Sequence, residues 1–336
     1  MAQDGAAGLA HDMEARRNGK AKDKNIGYDT GKPVEKYISV QYASGTGTAS
    51  GGYVQFKRCG GCRADYRALG AVGSTTILVT LFTGFLIGMG SGVNVQVALG
   101  LGAKDDKTVE KTIHTAFLIC AAIGIVIGVF CILFARPMLQ ALHTKSDLID
   151  AAVLYLKIYA LGMPAMAVYN FGNGVLSAKG DTKSPLIYLA VAGVLNIILN
   201  LIFVIGFHLA AAGVAIASAI AQYVSMLLVM RNLLKRRDVC RLQISKIQFH
   251  QDVAKGILLM GIPTGLQNAI FALANLFVQR GVNYFYTIMV SGNAAATNAD
   301  AIIFNVMSAF YTGCASFVSQ NRGAGNRERM KKSYLV

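Results

Sequence analysis

"YVQFKRCGGCRADYRALGAVGSTTILVTLF", residues 53–82, changes character at about Ala68: it is basic, glycine-rich and cysteine-spotted before that point and almost unbrokenly apolar after it. A helix that crosses a bilayer needs about 20 predominantly apolar residues. From residue 68 onward such runs follow one another, and they predict seven spans: roughly 70–100, 112–135, 151–177, 185–207, 211–233, 254–279 and 295–319. A further run begins at 333, where the chain stops, which reads as a truncation. The 336 residues are 54% hydrophobic and only 15% charged, against about a quarter charged in a soluble domain. The expected fold class is therefore an all-α polytopic membrane protein.

The formal net charge of +15 invites a nucleic-acid reading, but such binding needs a continuous basic surface. Here the cations sit in short clusters between apolar runs, the pattern of basic loops on one side of a membrane. One set of connections carries Lys104, Lys107 and Lys111, then Lys179 and Lys183, then a cluster from Arg231 to Lys246, then a cluster from Arg322 to Lys332. The alternate set carries Arg136, Lys145, Lys157 and Arg280 alone. The positive-inside rule places the first set in the cytoplasm. Nucleic acid is not expected as a partner; the lipid bilayer is.

Cys120, Cys131 and Cys314 lie inside apolar runs, where a cysteine packs as a small hydrophobe. Cys59 and Cys62 form a C-x-x-C, but a structural zinc site wants four ligands, and Cys240 has no paired partner. No metal and no organic cofactor are expected. The first 67 residues contain no apolar signal-peptide core.

The chain also repeats itself. "VALGLGAKDDKTVEKT" closes the first span and "VSQNRGAGNRERMKKS" the seventh, each with a Gly-Ala pair, at 102–103 and 323–324. Six spans separate them, so both helices end on the same side. Such a parallel repeat, related by an axis along the membrane normal, is a feature of transporters.

Four segments in register carry a resemblance. "FVSQNRGAGN" at 317–326, with Asp300 upstream, resembles the eighth helix of the multidrug and toxic compound extrusion (MATE) family. "ALGAVGST" at 68–75 resembles its second helix, "AKGDTKSP" at 178–185 its loop between helices four and five, and "NIILNLIFV" at 196–204 its fifth helix. The resemblance implies pseudo-symmetric six-helix bundles and cation-coupled export of drug-like molecules. The seven spans then correspond to family helices two to eight. Residues 68–234 form the N-terminal bundle, 235–250 a basic cytoplasmic linker, and 251–336 the start of the C-terminal bundle. Helix one is expected at 37–65, where nothing is apolar. A reading frame shifted by one base permits a MATE-like start there; the other reading is a disordered basic tail. On both, 1–67 is expected to be no folded functional domain.

Polar groups inside spans are costly in lipid and are the first site candidates. Asn196 and Asn200 lie four apart on one helix face, and Ser218 follows in the next span. The resemblance makes them part of an N-terminal-bundle network, in which the Asn200 position is usually Asp in the proton-coupled branch. Asn200 cannot release a proton. The other role open to these residues is hydrogen bonding across helices. In the sodium-coupled branch the seventh helix carries a Glu about two turns after its proline, where this chain has Phe271. Gln267, Asn268 and Asn275 are candidates for lining a cavity or for helix–helix bonding. Asp300 is an ion-binding candidate or a solvated residue near a span end. Pro164 and Pro263 are candidate hinges. Glycines 84, 88, 90 and 92 are expected to make one helix face small enough for close packing.

The reading is a multi-pass transporter of a bacterial plasma membrane, monomeric, driven by H+ or Na+ and exporting amphipathic or cationic small molecules. Its alternatives are a lipid-linked sugar flippase, which would want a basic cavity, and an inactive transporter fragment. No serine–histidine pairing or metal spacing falls within the spans, so no enzyme is expected.

Overall fold

The computed structural model describes residues 63–142, 144–282 and 287–335, all within one unit, Ile38–Val336. Cys59, Cys62 and His143 lie outside the described residues, as does most of the segment 1–67. The helices are α1 (Arg63–Ala103), α2 (Asp106–Ala141), α3 (Ser146–Ala160), α4 (Met163–Ala178), α5 (Lys183–Leu201), α6 (Ala210–Lys235), α7 (Gln251–Val282), α8 (Thr287–Gly323) and α9 (Arg327–Leu335). No strand occurs among the described residues. Among the described residues, five helices are long and apolar enough to cross a membrane, six when the bent pair α3–α4 counts as one. Their outward faces carry exposed Val126, Leu133, Leu186 and Leu259, as suits helices solvated by lipid.

Several boundaries differ from the expectation. Helix α1 begins at Arg63, five residues before the apolar run, because the turn that precedes a span continues the helix whatever its polarity. Helix α2 runs past the predicted 135 through Pro137. The third span is broken at Leu161–Gly162 with a 44° bend. Pro164 explains the break: at the first turn of α4 its missing N–H costs nothing, whereas inside a helix it would leave a carbonyl unbonded. Pro263, in contrast, sits inside the uninterrupted α7. Helix α5 ends in a π-helical turn, Ile202–Gly206.

Helix α1 is the central post. It packs most extensively on α7, and also on α4, α8, α2 and α3. The expected single glycine face is in fact two. Gly84, Gly88 and Gly92, one turn apart, meet α7; a Cβ on Gly88 would overlap the backbone nitrogen of Gly265, and one on Gly92 would lie 2.6 Å from that of Gly261. Gly90 points elsewhere, to the carbonyl of Asn170 on α4. The spacing of four on a 3.6-residue turn keeps 84, 88 and 92 together and turns 90 away.

The repeat is visible as a reciprocal contact. A Cβ on Gly102 would overlap the carbonyl oxygen of Gln320, and one on Gly323 would overlap that of Leu99. Each glycine meets the residue three positions before its counterpart, which is the signature of a local two-fold relation. All four basic connections gather at this end. Arg236 pairs with Asp181 and Asp238, Lys179 with Asp238, and Lys246 with Glu110. The Arg136–Asp150 pair lies at the alternate connection.

The connection between α6 and α7 is a strap rather than a loose basic loop. Cys240 and Leu242 are each 1% exposed. The backbone N–H of Gln243 donates to Nε2 of His114 at 3.2 Å, and that of His250 donates to Oγ1 of Thr115 at 3.2 Å. Burial pushes the Cys240 thiol pKa up, against a weaker pull from Lys179 and Arg236.

Two measurements check this packing. Gly88→Ala should destabilise the purified protein by about 1–3 kcal/mol through overpacking, read as a lowered melting temperature. Gly73→Ala, with nothing within 4 Å of the added Cβ, should be neutral or stabilising by up to about 1 kcal/mol. Cys240 should react slowly with a maleimide at mildly alkaline pH, because the thiolate is the reactive form. His114→Ala should speed that labelling; an unchanged rate would show that the strap is held elsewhere.

Candidate functional site

The sequence-predicted trio comes together. Helices α5 and α6 pack side by side, so the α5 face carrying Asn196 and Asn200 meets the α6 face carrying Ser218. Asn200 Nδ2 donates to Asn196 Oδ1 at 2.9 Å, and Asn196 Nδ2 donates to Ser218 Oγ at 3.3 Å. Asn200 and Ser218 are buried, and Oδ1 of Asn200 is left with no hydrogen-bond partner. The π turn begins two residues beyond Asn200, where its i→i+5 pattern, seen in the Phe207 N–H bonding to the Ile202 carbonyl, interrupts the regular ladder.

One turn after Ser218 on the same face of α6, Gln222 is buried against the α3–α4 break. Its Oε1 occupies the space that a Cβ on Gly162 would need. The Gln222 carboxamide and the Tyr159 hydroxyl are both buried and neither completes a well-formed hydrogen bond. The site is thus a set of neutral dipoles: amide oxygens at 200 and 222, hydroxyls at 159 and 218. A buried unpaired acceptor of this kind costs about 1–3 kcal/mol, which a bound donor or cation would offset. None of these groups exchanges a proton at ordinary pH.

A second polar junction lies towards the basic end. Asn94 of α1, 3% exposed, donates through Nδ2 to the Gly174 carbonyl at 3.2 Å. Its Oδ1 accepts from the Ser316 hydroxyl of α8 at 2.9 Å. Gln320 of α8 donates through Nε2 to the Ala178 carbonyl at 2.6 Å, satisfying an end carbonyl of α4. These bonds tie α8 to α1 and α4.

The other predicted residues do not join either cluster. Asn268 is half-buried and donates through Nδ2 to the Gly84 carbonyl at 3.1 Å, so it clamps α7 to α1. Gln267 and Asn275 are exposed on α7. Asp300 is exposed on α8 and takes no hydrogen bond or ion pair among the described residues. Among the described residues no three His, Cys, Asp or Glu side chains come together to hold a metal. Sequence reading missed Asn94, Gln222, Ser316 and Gln320. Asn94 and Gln222 stand among mostly apolar neighbours, and that contrast was the available signal; Ser316 and Gln320 lie in the polar-rich SFVSQNR stretch of 316–322, where nothing local singles them out.

The fold and these clusters define a multi-pass helical membrane protein built on a transporter architecture. The chain belongs to the MatE family, whose model matches residues 62–202 and 263–336. It is similar to the "Probable multidrug resistance protein YpnP" of Bacillus subtilis, 29% identical over 264 residues covering 79% of this chain and 59% of that protein. It is similar to the "FAD transporter" of Shewanella oneidensis, 23% identical over 281 residues, covering 80% of this chain and 60% of that protein. The structure superposes with a TM-score of 0.70 on an outward-facing multidrug resistance MATE transporter, at 21% identity, covering 80% of this chain and 60% of the other. On an inward-facing MATE transporter the TM-score is 0.60, at 20% identity, covering 80% and 62%. The chain spans about 60% of the length of these relatives.

Ser218→Ala removes the acceptor of Asn196 and should lower stability by about 0.6–2 kcal/mol, the range for hydrogen bonds between membrane helices. Ser218→Thr, which keeps the hydroxyl, should restore the melting temperature.

Proposed function

We propose that this chain forms the N-terminal cavity, and the first helices of the second bundle, of a cation-coupled antiporter that exports amphipathic, often cationic, drug-like molecules. The observation that carries the reading is the bonded Asn196–Asn200–Ser218 network, with the unpartnered oxygens of Asn200 and Gln222 beside it. Such oxygens solvate a desolvated cation, whether Na+ or the charged group of a substrate, without titrating. A proton carrier, where H+ drives export, then lies outside this network. Relatives named as multidrug resistance proteins support drug-like cargo. A flavin nucleotide, as the name of the Shewanella relative suggests for that protein, or a lipid-linked sugar would call for cations at the site, and the network offers none.

The Asn94–Ser316 and Gln320–Ala178 bonds tie α8 to α1 and α4 at the basic end. Rocking the bundles would break these few bonds, leaving the glycine contacts to part.

Export of a fluorescent cation from sealed vesicles tests the reading. At equal pH on both sides and under a sodium gradient, wild-type export should vary little between about pH 5 and 8, since the network is neutral throughout. Asn200→Asp should make export pH-dependent, because burial raises a carboxyl pKa into that range. Asn196→Ala with Asn200→Ala should cut export by about tenfold or more. Export by that double variant at the wild-type rate would remove the network from transport.

A further inference from the structure

At the basic end, a cleft of about 450 Å³ between the start of α5 and the end of α6 is lined by Tyr188, Leu228, Arg231, Asn232, Lys235 and Arg236. We propose that this cleft binds the phosphate headgroup of an anionic membrane phospholipid, with Arg231 and Lys235 as its cations and the Tyr188 hydroxyl as a neutral donor.

The floor of the cleft is already bonded. Asn232 Nδ2 donates to the Tyr188 oxygen at 2.6 Å, and Arg236 Nε donates to Asn232 Oδ1 at 2.9 Å. Arg236 is further committed to Asp181 and Asp238. This leaves the Tyr188 O–H proton free to donate. Arg231 and Lys235 differ from Arg236: both are exposed, and neither takes a hydrogen bond or ion pair among the described residues. Spaced four apart, they stand one above the other on a single face of α6. Two unpaired cations and a hydroxyl donor around one cavity are complementary to a phosphate monoanion.

A lipid, rather than a soluble phosphate, is the occupant because of what continues from the cleft. One further turn along the same face of α6 come exposed Leu227 and then Tyr223. On α5, one and two turns beyond Tyr188, come exposed Val191 and Val194. From the basic end inward, the face therefore runs cation, cation, apolar, apolar, matching a headgroup followed by an acyl chain. Basic pockets between membrane helices on the cytoplasmic side are suited to anionic headgroups, and α5 and α6 begin and end there by the distribution of Lys and Arg.

The test is native mass spectrometry of the purified full chain titrated with phosphatidylglycerol, with phosphatidylcholine as the zwitterionic reference. The wild type should retain phosphatidylglycerol preferentially. Arg231→Gln and Lys235→Gln should each weaken that retention roughly fivefold and leave phosphatidylcholine unchanged. Lys255→Gln, at the same end but outside the cleft, should have no effect. Because both target residues are exposed, the variants should keep the wild-type melting temperature in lipid-free detergent. The single variants are scored separately, so a folding defect in one leaves the other to decide. Unchanged phosphatidylglycerol retention in the folded variants would overturn the proposal. Displacement of the lipid by millimolar inorganic phosphate or glycerol phosphate would overturn it too, by showing a soluble phosphate site.

Discussion

The structure depends on how closely α1 lets other backbones approach. Lipid tails are as apolar as leucine, so burial of hydrocarbon gives little reason for two membrane helices to prefer each other. Contact must come from backbone meeting backbone, and that requires residues without side chains. Helix α1 supplies them in three directions: Gly88 and Gly92 to α7, Gly90 to α4, and Gly102 to α8. A single methyl at these points would force helices apart that the rest of the bundle holds together. The reciprocal Gly102–Gln320 and Gly323–Leu99 contacts place the pseudo-symmetry of the sequence at the same post.

With the helices fixed this way, the polar residues sort by what they satisfy. Asn268 and Gln320 answer backbone carbonyls across an interface, and Asn94 holds both a carbonyl and a hydroxyl. Their capacity is largely consumed by the fold. Asn200, Gln222 and Tyr159 are buried with capacity left over. In a medium without water such leftover capacity is costly, and a bound donor or cation would offset it. This contrast, more than the presence of polar residues in spans, separates the candidate site from the scaffold.

The basic end has its own logic. The cations that set orientation also build structure: Arg236, Lys179 and Lys246 pair with acids and pin the strap over α2 and the α4–α5 turn. Arg231 and Lys235 are exposed and take no acid among the described residues, and these two cations are the ones that the proposed headgroup site uses.

What the sequence determined by itself was the part governed by local composition. Apolar length marked the spans, the Lys and Arg clusters marked the connections that the structure gathers at one end, the Gly-Ala pairs marked the repeat, and the four-residue spacing of Asn196 and Asn200 placed them on one face that the structure joins to Ser218. What only the tertiary structure decided was anything that depends on which face meets which neighbour. The four-residue spacing of Gly84, Gly88 and Gly92 already turns them away from Gly90, but that the first three meet α7 and Gly90 meets α4 was decided only by the packed bundle. Asn268 became a clamp while its neighbour Gln267 was left exposed, because one residue along a helix turns a side chain by about 100°; Asn275, seven residues on and back near the Asn268 face, is exposed all the same. Gln222 and Asn94 acquired meaning only from partners distant in the chain, and no periodicity within a single helix encodes a partner on another.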